Sequence, residues 1–296
     1  MKKPLLFQGV ATALVTPTNA DGVDYAHLGA LIDFQLEAGI PALVVCATTG
    51  EAPTLTDDEH LRVLSFAVER CAGRAKIIAG TGSNDTAHAI MMTKQACRIG
   101  CDGILVVSPY YNKPTQLGIR RSYEAIADAS TKPVILYNVP SRTSVRIEPE
   151  TYAALADHPM IVAIKEAGGD FDRLVHTMAL VGDRLAVYSG EDATIVPLLA
   201  MGGRGVVSVV SNILPRETIA MCDKFFAGDI AGAAEMQCRL YPLVKALFSE
   251  TSPAPAKAAL SAMGYCEDYL RLPLVPMQEP NRTVLFQQLR QWGLSV

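Results

Sequence analysis

The sequence is short of the features that mark a protein for a specialised environment, and each absence removes a class of function. No apolar stretch is long enough to cross a bilayer. The opening Met1-Lys2-Lys3-Pro4-Leu5-Leu6-Phe7 meets Gln8-Gly9 before a signal-peptide core could form, so the expected location is the cytoplasm. No long basic run is present, and a formal net charge of −4 offers no electrostatic footprint for nucleic acid or an anionic membrane. Seven cysteines are scattered without a CxxC pair, Cys97 and Cys101 being the nearest two. Zinc ligation and a secreted disulfide framework both want denser spacing, and the thiols read as buried groups in a reducing compartment, with no metal expected. A phosphate-binding glycine loop is missing as well. Gly80-Thr81-Gly82 lacks the third glycine, and Gly202-Gly203-Arg204-Gly205 precedes a strand instead of following one.

What is present is a chain of 296 residues, 50% hydrophobic and 19% charged, enough for one large core with an appendage. Short β-branched runs alternate with longer amphipathic stretches. Strands are predicted over residues 9–15, 41–46, 76–80, 103–108, 133–138, 161–165, 185–189 and 205–210. Helices fill the gaps; Thr56-Asp57-Asp58-Glu59 resembles a capping box, and Asn84 and Asp85 form a start signal before Ala87. Eight alternating βα units predict an α/β fold of the (β/α)8 barrel type, a TIM barrel, over residues 1–225. Beyond it, residues 216–226, 231–248 and 254–263 read as helices, with a break at Thr251-Ser252-Pro253, which makes 226–296 a C-terminal helical extension.

In such a barrel the chemistry lies at the C-terminal strand ends. The sixth strand ends in Ile161-Val162-Ala163-Ile164-Lys165, followed by Glu166-Ala167-Gly168-Gly169. Desolvation in a crevice favours an uncharged amine, which is a nucleophile for carbonyl carbons. The second strand delivers Thr48-Thr49-Gly50-Glu51, hydroxyls and amides suited to a small carboxylate or a proton. The fourth delivers Tyr110-Tyr111-Asn112-Lys113 between prolines. The fifth delivers Tyr137 and, five residues on, Arg142, the residue type for bidentate carboxylate recognition. The seventh delivers Ser189-Gly190-Glu191-Asp192, where glycine admits a ligand and the acids suit a helix cap. Each item alone is as well explained by packing, capping or a surface ion pair. Together they describe a Schiff-base site for carboxylate-bearing substrates.

Ala47-Thr48-Thr49-Gly50-Glu51, Pro109-Tyr110-Tyr111-Asn112-Lys113-Pro114, Tyr137-Asn138-Val139-Pro140-Ser141-Arg142-Thr143 and Ile164-Lys165-Glu166-Ala167 resemble the signatures of the dihydrodipicolinate synthase family. The likeness runs from Gly9-Val10-Ala11-Thr12-Ala13 to Arg271-Leu272-Pro273-Leu274. It implies a class I aldolase that condenses pyruvate with L-aspartate 4-semialdehyde in lysine and diaminopimelate biosynthesis, with no cofactor beyond the covalent imine. By that resemblance Lys165 attacks the pyruvate ketone, and Tyr137 is the general acid/base, linked through Thr48 to Tyr111 from a neighbouring subunit of a homotetramer built as a dimer of dimers. Thr49, Gly190 and Val207 would meet pyruvate, and Arg142 the semialdehyde carboxylate. Sialic acid lyases share the lysine and tyrosine but usually carry Ser-Thr at 48–49 and lack the arginine, so Arg142 tilts the choice; a sugar-acid aldolase and a catalytically silent keto-acid-binding barrel stay open as alternatives. The usual Ser or Thr after Lys-Glu-Ala is Gly168 here. In lysine-sensitive relatives the inhibitor binds near positions matching Ala52, Pro53, Leu55, Asp57, His60, Asn84, His88 and Tyr110. An acid stands there at 88, with Ser and His at 52 and 57, so His88, Ala52 and Asp57 imply weak or absent inhibition.

Overall fold

The computed structural model describes residues 3–296. In chain order its strands are β1 (Gly9–Ala13), a short antiparallel hairpin of β2 (Thr18–Asn19) and β3 (Gly22–Val23), then β4 (Ala42–Val45), β5 (Lys76–Gly80), β6 (Gly103–Val107), β7 (Val134–Asn138), β8 (Ile161–Glu166), β9 (Ala186–Ser189) and β10 (Gly205–Ser208). All but the hairpin join one closed parallel barrel, in which β1 pairs with both β4 and β10. Closure brings Gly205 against Gly9, where a Cβ on residue 205 would run into the Gly9 carbonyl; Gly205 also has φ of 151°. Only glycine permits that approach.

Alternation along each strand splits the core into two layers. Ala11, Ala13, Ala42, Val44, Ile78, Leu105, Ile135, Ala163 and Val207 fill the barrel, while Val10, Leu43, Val45, Ile104, Val134, Leu136 and Ile164 form the layer beneath the helices. Phe7, just before β1, closes the N-terminal end: its ring stacks on Tyr188 at 4.1 Å, and the Tyr188 hydroxyl donates to the Phe7 carbonyl at 2.6 Å. With that end filled, a ligand has only the C-terminal mouth to enter.

The helices are α1 (Tyr25–Glu37), α2 (Asp57–Cys71), α3 (Thr86–Ile99), α4 (Gln116–Asp128), α5 (Pro140–Thr143), α6 (Pro149–Leu155), α7 (Phe171–Val181), α8 (Ile195–Ala200), α9 (Pro215–Phe226), α10 (Ile230–Leu247), α11 (Ala254–Ala262) and α12 (Glu279–Gln291). The capping box at Thr56 forms as expected, with Thr56 Oγ1 accepting from the Glu59 amide at 3.2 Å and the Glu59 carboxylate accepting from the Thr56 amide at 3.0 Å. Asp85, not Asn84, caps α3, its carboxylate accepting from the Ala87 amide at 2.9 Å. α9 packs on β1 and closes the ring of barrel helices, while α10, α11 and α12 pack on one another beyond it. Helix α12, the hairpin and the short α5 were not anticipated from the sequence. The hairpin is too short to show a period, and α12 carries a largely polar face with only Leu285 and Leu289 buried.

Arg271 fastens the C-terminal segment to the start of α2. Its guanidinium donates to both Glu59 oxygens, at 2.7 and 2.6 Å, and to the Thr54 carbonyl at 2.8 Å. These bonds hold the Glu59 carboxyl down to about 2. A depressed carboxyl stabilises the fold fully above its unfolded value near 4.5, and the contribution fades as pH falls toward about 2. Solvent at this rim screens the pair, so Glu59→Gln should cost about 1–2 kcal/mol at neutral pH. Urea unfolding across a pH series checks this: the gap between variant and parent should narrow between pH 4.5 and 2, and a constant gap would reject the pairing.

Candidate active site

Lys165 is the last inward-facing residue of β8. Ala163, two residues earlier, belongs to the barrel interior and Ile164 to the outer layer, so the strand's alternation sends the Lys165 side chain inward. It is 5% exposed. The register sets it beside Tyr137 on β7 and Tyr188 on β9. Its Nζ lies 4.1 Å from the centre of the Tyr137 ring, itself a buried group. Both open onto a cavity of about 460 Å³ at the C-terminal mouth, whose walls include Thr48, Thr49, Arg142, Ala167, Gly190, Asp192 and Val209. Gly190 makes room for the amine: a Cβ there would lie 3.1 Å from Lys165 Cε and 2.8 Å from the Ala167 Cβ.

The neighbouring carboxylate faces the other way. Glu166 accepts from Asn138 Nδ2 at 2.8 Å and from the Tyr152 hydroxyl at 3.2 Å, and burial raises its pKa. A Cβ at Gly168 would meet Glu166 Oε1 at 2.5 Å. The departure at position 168 thus gives its space to the Glu166 carboxylate.

Thr48 and Thr49 sit on the loop after β4, Thr49 buried and Thr48 half-buried. The loop is bracketed by two non-glycine residues in the left-handed region, Cys46 at φ 53° and Glu51 at φ 54°. Arg142 lies on α5 at the rim, exposed, with Nη2 donating to the Ser252 carbonyl at 3.1 Å. Val207 is buried in the apolar cluster inside the barrel, the same cluster that holds Tyr137 and Ala167, and Val209 lines the cavity wall. Tyr111 does not reach that wall. It is 88% exposed at φ 70°, on a loop tied down by Asn112 Nδ2 donating to the Asn84 carbonyl at 3.0 Å.

A second cavity of about 500 Å³ adjoins the first and shares Thr48, Tyr137, Val139 and Arg142 with it. Ala52, Pro53, Leu55, Asp57, His60, His88 and Tyr110 line it; Asn84 does not. His88 Nε2 lies 2.9 Å from Asp57 Oδ1. Burial lowers the His60 pKa to about 4, so this ring is neutral at physiological pH.

Two buried groups near the mouth were missed or misread from the sequence. Lys257 of α11 is wholly buried and forms an ion pair with Glu51; its signal was a lysine inside the apolar run Ala254-Pro255-Ala256-Lys257-Ala258-Ala259-Leu260. Asp192 does not cap the helix that follows it: its Oδ2 accepts from the Val209 and Val210 amides at the start of the turn after β10, both at 2.9 Å, and burial raises its pKa. Among the described residues no group of three or more His, Cys, Asp or Glu is disposed to hold a metal ion. The geometry is suited to amine attack on a carbonyl, with a phenol against the amine and hydroxyls, amides and a guanidinium around the mouth.

Known proteins resemble this chain over nearly its whole length. The sequence model of the dihydrodipicolinate synthetase family matches residues 6–292. A 4-hydroxy-tetrahydrodipicolinate synthase from Syntrophobacter fumaroxidans is 50% identical, over 98% of this chain and all of that one, and one from Trichlorobacter lovleyi is 47% identical over the same shares. Among solved structures, dihydrodipicolinate synthase from Thermotoga maritima superposes with a TM-score of 0.96 at 42% identity, covering 98% of this chain and all of the other. The enzyme from Cyanidioschyzon merolae with lysine bound superposes at 0.95 and 40% identity, covering 99% and all of the two chains. With the match spanning nearly every residue from the barrel floor to the last helix, the chain belongs to the dihydrodipicolinate synthetase family.

Proposed function

We propose that Lys165 carries the chemistry of this chain through a covalent imine, the supporting observation being its amine buried against the Tyr137 ring at the cavity mouth. The activity is that of a 4-hydroxy-tetrahydrodipicolinate synthase, a lyase that condenses pyruvate with L-aspartate 4-semialdehyde in lysine biosynthesis. In this reading Lys165 Nζ adds to the pyruvate ketone carbon, and water leaves as the imine forms. Loss of a methyl proton gives an enamine, whose carbon attacks the semialdehyde. The amino group of the adduct then adds to the imine carbon and displaces Lys165, closing the ring. Tyr137 moves the protons, with Thr48 beside it on the same cavity wall.

Thr49 and the amides near it hold the pyruvate carboxylate, and Gly190 leaves space over the amine. Arg142, at the rim, receives the semialdehyde carboxylate by a charge-assisted bond worth about 1.5–3 kcal/mol. Tyr111 completes the proton path only from a neighbouring subunit, and its 88% exposure suits that role. The assembly that the family resemblance implies is a homotetramer built as a dimer of dimers, in the cytoplasm; none of the described helices is long and apolar enough to cross a membrane. Among the described residues, those up to 225 form the catalytic barrel and 226–296 the helical domain.

Lysine inhibition should be weak. The second cavity carries His88 where lysine-sensitive relatives have an acid, and Asp57, the one remaining carboxylate on its wall, already has His88 Nε2 at 2.9 Å. An imidazole cannot supply a carboxylate's bond to an ammonium, so about 1.5–3 kcal/mol of affinity is missing.

Three outcomes are expected. Lys165→Ala should fold yet gain no mass with pyruvate and borohydride, whereas the parent gains an adduct on Lys165; a stable adduct in the variant would reject the nucleophile. Gly190→Ala should form the same adduct at least about tenfold more slowly, since small misplacements of a reacting group carry losses of that order. An unchanged trapping rate would mean the amine has other room. In a coupled assay, lysine at neutral pH should inhibit only in the millimolar range, and strong submillimolar inhibition would reject the regulatory reading.

A further inference from the structure

We infer that Lys257 and Glu51 are positioning residues for the pyruvate half of the reaction, so that the C-terminal helices set the geometry of the Thr48-Thr49 loop. The inference rests on the role proposed above for that loop. Lys257 Nζ, wholly buried on α11, has three partners: the Glu51 carboxylate, Thr18 Oγ1 at 2.8 Å and the Tyr269 carbonyl at 2.8 Å. Three donors meet three acceptors, so the ammonium is fully satisfied and fixed in direction. Its anchors come from the β2 hairpin and the C-terminal segment, both outside the barrel strands. Glu51 is the one partner that belongs to the active-site loop; the pair runs through its Oε1, and its Oε2 has no partner.

The loop needs such a hold. Thr48 and Thr49 lie between Cys46 and Glu51, each in the left-handed region that a side chain disfavours. Backbone bonds within the loop are few: the Glu51 amide donates to the Thr48 carbonyl at 3.2 Å, and the Ala52 amide to the Ala47 carbonyl at 3.2 Å. Strained conformations persist only where surroundings over-determine them. The buried pair does that from the Glu51 end, and through Glu51 it sets where the Thr48 hydroxyl and the Thr49 amide stand relative to Lys165.

Two variants separate positioning from bulk stability. The double variant Glu51→Gln/Lys257→Met removes both charges, so neither is left buried and alone. Glu51→Asp keeps both charges and shortens the tether by one methylene. Each should raise the KM for pyruvate and slow borohydride trapping of pyruvate on Lys165 by about 10- to 100-fold. The KM for aspartate semialdehyde should change by less than about threefold, because Arg142 is held separately, by the Ser252 carbonyl. Should the double variant not fold, Glu51→Asp alone decides. Pyruvate KM and trapping rates equal to the parent's, or equal rises for both substrates, would overturn the inference. Absence of any adduct on Lys165 in the parent protein would instead overturn the proposed site.

Discussion

The register of β7 against β8 is the constraint on which the site depends. It sets Tyr137 beside Lys165 and Asn138 beside Glu166, and alternation then sorts the four by face. The amine and the phenol go into the barrel mouth. The carboxylate and the amide go outward, where Asn138, Tyr152 and the space left by Gly168 receive the carboxylate. A shift of one residue along β8 would exchange the two faces, putting a carboxylate into the cavity and an amine among the helices. The bulge between Val134 and Ile135 lies at the opposite end of β7, away from the chemistry.

Placing reactive groups at strand ends requires burying charge, and the fold surrounds each buried charge with specific partners. Burying an ion unpaired costs several kcal/mol. The Asp192 carboxylate takes two backbone amides from the turn just after β10. Glu51 takes Lys257 of α11. The partner of Glu51 comes from a helix beyond the barrel, so the C-terminal extension supplies a counter-charge that the barrel strands do not.

The two cavities share a wall of Thr48, Tyr137, Val139 and Arg142. That shared wall gives a physical route by which occupancy of one could move groups that face the other, since packed side chains transmit shifts. In this chain the outer cavity presents His88 paired with Asp57 and a neutral His60, a less cation-attracting lining than one with free carboxylates.

The sequence by itself determined a good deal. All eight barrel strands lie where apolar β-branched runs predict them, because strands buried on both faces must be continuously hydrophobic. The capping box at Thr56 and the break after α10 were equally legible, since both rest on local chemistry. Lys165, Tyr137, Thr48, Thr49, Arg142 and Gly190 could be named because each lies at the end of a recognisable strand or in the segment that follows it. Tertiary structure decided the rest. Val207 was expected at the substrate; it lies in the barrel interior with Tyr137 and Ala167, and Val209, just past the end of β10, lines the cavity. Asp192 looked like a cap for the helix that follows it and instead binds the amides of the turn just after β10. The bond between Glu51 and Lys257 had no local signature at all, because it joins a loop near the start of the barrel to a helix near the end of the chain, and only the closed fold brings them into contact.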